Sequence, residues 1–130
     1  MKRKLLLALT LTIISSACSV LTADERTWQN ALTTARLYDL GMRKMRHGEY
    51  QKAIPYFQKT LAEDPNCISA REQLARAHYQ LGNEFMEWQQ FAKAAEQYRI
   101  ALEINPKLAD AGRGLAATER YRQISSLEQP

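Results

Sequence analysis

Apolar residues recur three and four positions apart from Ala23 almost to Leu127, and nowhere alternate singly as strand residues do. That spacing predicts an all-helical chain. The first helix is expected from about Ala23, where Thr22-x-x-Glu25 has the form of a capping box and Asp24 and Glu25 suit the positive end of a helix dipole. Its apolar stripe is Trp28, Leu32, Ala35, Met42 and Met45, flanked by Leu37, Leu40 and Gly41, and Gly48 ends it. A second helix covers about Tyr50 to Glu63, with Ala53, Phe57 and Leu61 inward and Pro55 in its early turns, where the lost hydrogen bond is tolerable. A third covers Ile68 to about Glu87, a fourth Phe91 to Ile104, and a fifth about Ala109 to Ser125. Asp64-Pro65-Asn66 and Asn105-Pro106 are turns, and 126–130 is expected to be a disordered tail.

The first four helices are two copies of one unit. A gapless offset of 41 residues lays Tyr38 on Tyr79, Leu40 on Leu81, Gly41 on Gly82 and Met45 on Met86. The same offset lays Tyr50 on Phe91, Lys52 on Lys93, Ala53 on Ala94, Phe57 on Tyr98, Leu61 on Leu102 and Pro65 on Pro106. A fixed period of this length marks stacked supersecondary units that cannot bury their apolar faces alone. Gly41 and Gly82 are expected to let paired helices approach closely, with Ala53 and Ala94 opposite them.

The pattern resembles the tetratricopeptide repeat, W-x2-L-G-x2-Y, then A-x3-F, then P. The first unit reads Leu37-x2-Leu40-Gly41-x2-Lys44, Ala53-x3-Phe57, Pro65; the second reads His78-x2-Leu81-Gly82-x2-Phe85, Ala94-x3-Tyr98, Pro106. Leu37 and His78 stand in the tryptophan slot and Lys44 in the tyrosine slot, which weakens the tightest contact between paired helices. The resemblance implies a solenoid of helical hairpins, with repeats at about 27–65 and 68–106 and a capping helix at about 109–125. The period of 41 exceeds the family's 34 by seven residues, placed at the start of the third helix. Seven residues at 100° each come within about 20° of two full turns, so a longer helix keeps the same face inward.

The beginning of the chain reads as a targeting segment, residues 1–17: Lys2, Arg3 and Lys4, then an apolar run Leu5 to Ile14, then Ser15, Ser16 and Ala17 before Cys18. Ile14-Ser15-Ser16-Ala17-Cys18 resembles a bacterial lipobox, with Ser15 where leucine is usual. That resemblance implies a lipidated Cys18 with a tether at 18–22, followed by the helical domain at 23–125. Simple cleavage with release, and an uncleaved anchor through Ala23, remain open. The 18 Lys and Arg against 14 Asp and Glu shrink to 15 against 14 once Lys2, Arg3 and Lys4 are removed, so the basicity does not imply nucleic acid. With Cys18 lipidated, Cys67 has no intramolecular partner and reads as a small, partly buried residue at a helix start.

No H-E-x-x-H, G-x-S-x-G, glycine-rich phosphate loop or paired C-x-x-C occurs, so neither enzyme activity nor a metal or cofactor is expected. His47 suits a helix C-terminus and His78 a packing slot. By resemblance, a partner protein would lie in a groove lined by the first helix of each repeat: Tyr38, Met42, Met45 and Arg46, then Arg76, Tyr79, Asn83 and Met86. The closing helix would add Arg113, Arg120 and Tyr121. Such side chains suit an interface, since tyrosine gives area at low entropy cost, methionine adapts and arginine offers forked donors. Plain inter-helix packing is the alternative use of Tyr38 and Met45. Family modules that clamp a C-terminal carboxylate need polar or basic groups where this chain has Tyr38, Met42 and Asp110, leaving only Asn83. The expected function is a protein-binding adaptor of the cell envelope, an outer-membrane lipoprotein facing the periplasm. A soluble periplasmic module and a self-associating subunit, such as a homodimer, are the alternatives.

Replacing Cys18 by Ala is expected to release the protein from membranes or leave an unprocessed precursor, read by fractionation and intact mass. Two acyl chains anchor stably where one is marginal. Wild-type protein wholly in the soluble fraction would end the lipidation reading.

Overall fold

The computed structural model describes residues 25–127, all of them in helices and the short turns between them. The expected signal segment, Cys18, the 18–22 tether, Thr22 and Asp24 of the capping box, and 128–130 of the tail lie outside the described residues. Five helices follow one another: α1 at 25–46, α2 (Tyr50–Glu63), α3 (Ile68–Glu87), α4 (Phe91–Ile104) and α5 (Ala109–Leu127). The chain divides into two compact units, Met1–Thr33 and Thr34–Pro130. In the first, the described residues are helical and the Thr33 hydroxyl donates to the Gln29 carbonyl. Trp28 and Leu32 there are 66% and 58% exposed, so the apolar stripe expected to be buried along the whole first helix is not buried at its start.

The second unit is an all-α solenoid of helical hairpins. Helix α3 packs on α2 and α4, and α5 packs on α4 and α3. One core cluster joins Ala53 and Phe57 to Leu74, with Tyr38, Met42 and Met45 against it. The other joins Ala94, Tyr98, Ala101 and Ala111, with Tyr79, Met86 and Leu115 against it. Leu40 is half-buried and Leu81 buried on the flanks of these clusters. Alanine recurs in this core because helix axes can close together only where side chains are short.

The tightest contacts are made by aromatic rings, not by the alanines expected there. A Cβ built on Gly41 would stand 2.7 Å from Phe57, and one on Gly82 would stand 2.6 Å from Tyr98. Ala53 and Ala94 are fully buried, one turn before those rings. The ring reaches furthest toward the partner helix, so it meets the missing side chain first. Tyr98 is held on a second side as well, since a Cβ on Gly114 of α5 would stand 2.7 Å from it. Ala116, which the same 41-residue offset lays on buried Ala75, is exposed, and Gly114 takes the contact two residues earlier.

Backbone geometry repeats along with the packing. Asp64 accepts the Asn66 N–H on its side chain at 3.0 Å, and Asn105 accepts the Lys107 N–H at 3.1 Å, each across Pro65 or Pro106. Both are Asx turns, with proline at the position where no donor is needed. At the end of α1 the Gly48 N–H reaches the Met45 carbonyl and the Glu49 N–H reaches that of Lys44, with Gly48 at φ +71°. At the end of α3, Gln89 and Gln90 make the same pair of bonds to Met86 and Phe85, with Gln89 at φ +57°. Both ends are Schellman motifs, and Gln89 holds the left-handed position without glycine's freedom, at a cost of about 1 kcal/mol.

Helix α5 continues two residues beyond the expected Ser125, so the tail taken as disordered starts with helical Ser126 and Leu127. Ser125 and Ser126 hydroxyls donate to the carbonyls of Arg122 and Gln123, and no breaker intervenes before Pro130. The helix is less uniformly polar than expected: Tyr121, Ile124 and Leu127 are exposed on it.

Two glycines two residues apart in α5 give opposite expectations. Gly114→Ala should destabilise by about 1–3 kcal/mol, because Tyr98 is wedged between Gly82 and Gly114. Gly112 has nothing within 4 Å of a built Cβ, so Gly112→Ala should stabilise by about 0.5–1 kcal/mol through helix propensity. Thermal melts of both variants check the sign of each; destabilisation by Gly112→Ala would contradict the placement of α5.

The turn after α1 adds a pH dependence. Lys52, by hydrogen bond, and then Lys44 hold the Glu49 carboxyl below its ordinary 4.5. A lowered folded-state value means the contribution is present above the unfolded-state value and is lost as pH falls through the folded one. The stability gap between wild type and Glu49→Gln should therefore be present at neutral pH and shrink as acid takes the pH below Glu49's ordinary 4.5, in urea titrations. A gap unchanged by acid would rule out the carboxylate as its source.

Candidate functional site

The first-type helices α1, α3 and α5 carry the side chains expected to line a groove, and every one of these residues falls within the second unit. On α1, Tyr38, Met42 and Met45 recur at helical spacing; on α3, Arg76, Tyr79, Asn83 and Met86 do. The apolar members are half-buried, with one side in the core. Tyr38 meets Phe57 edge-on with centroids 5.8 Å apart, and Tyr79 tilts on Tyr98 at 5.9 Å. Met86 accepts the Thr118 hydroxyl on its sulfur at 3.1 Å, tying α3 to α5. Packing and solvent contact thus coexist in the same residues, as the i, i+3, i+7 spacing at the edge of a buried stripe requires.

The polar members differ in what they already hold. Arg46, Arg76 and Arg120 are exposed and make no ion pair among the described residues, whereas Arg113 pairs with Asp110 on its own helix. Asn83 accepts the Tyr98 hydroxyl on Oδ1 at 2.7 Å and donates from Nδ2 to Gln80 Oε1 at 3.2 Å. Burial, and then Tyr79, pushes the Tyr98 phenol above its ordinary value of 10.0, so it stays a donor in this bond.

Tyr121 does not join the stripe. Its ring stacks on Phe91 at the start of α4, with centroids 5.5 Å apart and planes 10° from parallel. One residue beyond Arg120 is a turn of 100° around the helix, which carries Tyr121 to the α4 side. Its expected place in the groove is corrected accordingly.

The slots that depart from the family pattern are filled differently in the two repeats. Lys44 pairs with Glu49 at 3.1 Å, and Lys52 reaches the same carboxylate at 2.6 Å. In the second repeat Phe85 takes the Lys44 position, with Lys93 Nζ 5.6 Å from its ring centroid. The same slot holds an ion pair in one repeat and a cation–π contact in the other. His78 is buried, with Nδ1 2.8 Å from Gln97 Oε1, so Nδ1 carries the proton and donates. Cys67 is a free, half-buried thiol before α3, and His47 is exposed after α1. Among the described residues no group of three His, Cys, Asp or Glu is placed to hold a metal ion, and no helix is long and apolar enough to cross a membrane.

Sequence reasoning missed Gly114, Thr118 and the Tyr98–Asn83 bond. Gly114 had a signal: a glycine inside a helix costs about 1 kcal/mol and calls for a close neighbour. Thr118 and the tyrosine hydroxyl carry no periodic mark, because the period reports faces and not hydrogen-bond partners.

The family model described as "Tetratricopeptide repeat" matches residues 38–108, more than half of the chain. No curated protein matches it.

Proposed function

The chain belongs to the tetratricopeptide repeat family, and from that premise we propose that it is an adaptor of the bacterial cell envelope, tethered by lipid on Cys18, that holds a partner protein against the inner faces of α1, α3 and α5. Repeats of this family generally mediate protein–protein interaction and are typically non-catalytic. What carries the groove reading is the half-burial of Tyr38, Met42, Met45, Tyr79 and Met86 beside free arginines. An interface of rigid aromatic and adaptable thioether surface, rimmed by unpaired guanidinium groups, has the composition of a binding hot spot. The tether and the envelope rest on the basic, apolar, small-residue and Cys18 order alone. Self-association is the second reading, and exposed Ile124 and Leu127 on the terminal helix favour it.

Tyr79→Ala is the direct test. Loss of an anchor of this kind weakens partner capture by about thirtyfold. Because the ring also rests on Tyr98, a lower melting temperature is expected alongside, with helical content retained at the assay temperature. Capture is measured by crosslinking in intact envelopes, and fold by circular dichroism on the same variant. Unchanged capture with unchanged fold would move the site to another face, and light scattering across concentrations then decides whether that face binds a second copy.

A further inference from the structure

We propose that the groove selects a partner segment bearing acidic side chains, because Arg76 and Asn83, on the face of α3 between Glu72 and Glu87, keep N–H donors that the fold leaves unpaired. This rests on the groove reading above and names the partner class of that same site.

The asparagine fixes the sign of the central contact. With Asn83 Oδ1 directed to the Tyr98 hydroxyl and one Nδ2 hydrogen given to Gln80, the hydrogen that the amide still offers a partner is the second one on Nδ2. Arg76 stands seven residues earlier on the same face, about 10 Å along the helix. Its guanidinium is unpaired although Glu72 lies only one turn away. Arg46 and Arg120 offer the same chemistry from α1 and α5. Arg43 pairs with Asp39, Arg99 with Glu96 and Glu119, and Arg122 with Glu119, while Arg26 and Arg36 on α1 are exposed without an ion pair among the described residues. Glu84 lies instead beside Gly48, Glu49 and Lys52 at the turn after α1, and the carboxylates in register with Arg76 and Asn83 are Glu72 and Glu87, which confines the acidic stretch of a partner to the span between them. Half-buried Tyr79 and Met86 give that span an apolar floor. The matching segment therefore interleaves carboxylates with apolar side chains. Carboxylates on guanidinium groups in a partly desolvated groove form the stronger class of hydrogen bond.

Tyr98 becomes a positioning residue in this reading. Its hydroxyl holds the Asn83 amide with the oxygen inward; without it the amide is free to turn and present an acceptor. Tyr98→Phe keeps the ring between Gly82 and Gly114 and removes only that orientation.

The test uses the full-length protein to select from a displayed library of random nonapeptides, followed by affinities for one selected peptide and its Glu-to-Gln counterpart. Wild type should enrich Asp and Glu over the unselected library and bind the acidic peptide about tenfold tighter than the Gln version. That preference should vanish in Arg76→Gln/Arg120→Gln and shrink in Tyr98→Phe at a near-wild-type melting temperature. Peptides captured without acidic enrichment would overturn the proposal and leave the groove reading standing. Acidic enrichment that survives Arg76→Gln/Arg120→Gln would overturn it too, since the selecting cations would lie elsewhere. Absence of capture, or capture indifferent to Tyr79→Ala, would remove the groove reading and this inference with it.

Discussion

The ring of Tyr98 lies where two glycines leave room for it, Gly82 on α3 and Gly114 on α5, and the second half of the array depends on that fit. Each glycine inside a helix costs about 1 kcal/mol in propensity. Burying one aromatic ring returns about 1.5–3 kcal/mol, and the close approach adds the alanine contacts around it. The first repeat solves the same problem with Phe57 against Gly41. The tyrosine carries one further consequence: its hydroxyl needs a buried partner, and Asn83 supplies it at 2.7 Å. Once the ring is seated, the rotation of α3 is set, and with it which residues face inward.

Around that fixed packing the two repeats diverge wherever the backbone permits. The charged trio Lys44, Glu49 and Lys52 gives way to Phe85 and Lys93, and Gly48 gives way to Gln89 in the same left-handed conformation. Lys44 and Glu49 are half-buried and Phe85 packs against the second core cluster, so the exchange trades an ion pair for apolar contact at the same place. The small contacts and the turns do not change: Ala53 and Ala94 are both fully buried, and the prolines both follow a residue that closes an Asx turn.

The helices and their period were legible because each rests on many residues. Helix spacing is repeated along α2, α3 and α4, and the offset of 41 is supported at ten positions or more. The expected groove lining on α1 and α3 came from the resemblance, by matching position in the repeat. What escaped rests on single atoms. Tyr121 differs from Arg120 by one step of rotation, and only the position of Phe91 decides which helix it meets. Trp28 and Leu32 have the spacing of a buried stripe, yet spacing describes a face and not whether another element covers it. The facing of Gly41 by Phe57 in place of Ala53 is a matter of reach along one helix turn.

On the proposed groove reading, stability and recognition meet at one side chain in the second repeat. The ring that fixes the distance between α3, α4 and α5 also fixes the direction of an amide in the groove. Any substitution that shrinks Tyr98 removes both, so a loss of binding at this position has no single meaning. The hydroxyl separates them, because it touches Asn83 while the ring touches the glycines. The first repeat has no equivalent, since Phe57 lacks the hydroxyl and Met42 stands where Asn83 would be. The oriented amide is therefore built over α3 and not over α1, which contributes apolar area with Arg46 at its end. On the proposed groove reading, a partner lying across both repeats would meet an apolar half and a donor half, which would give it a direction as well as a place.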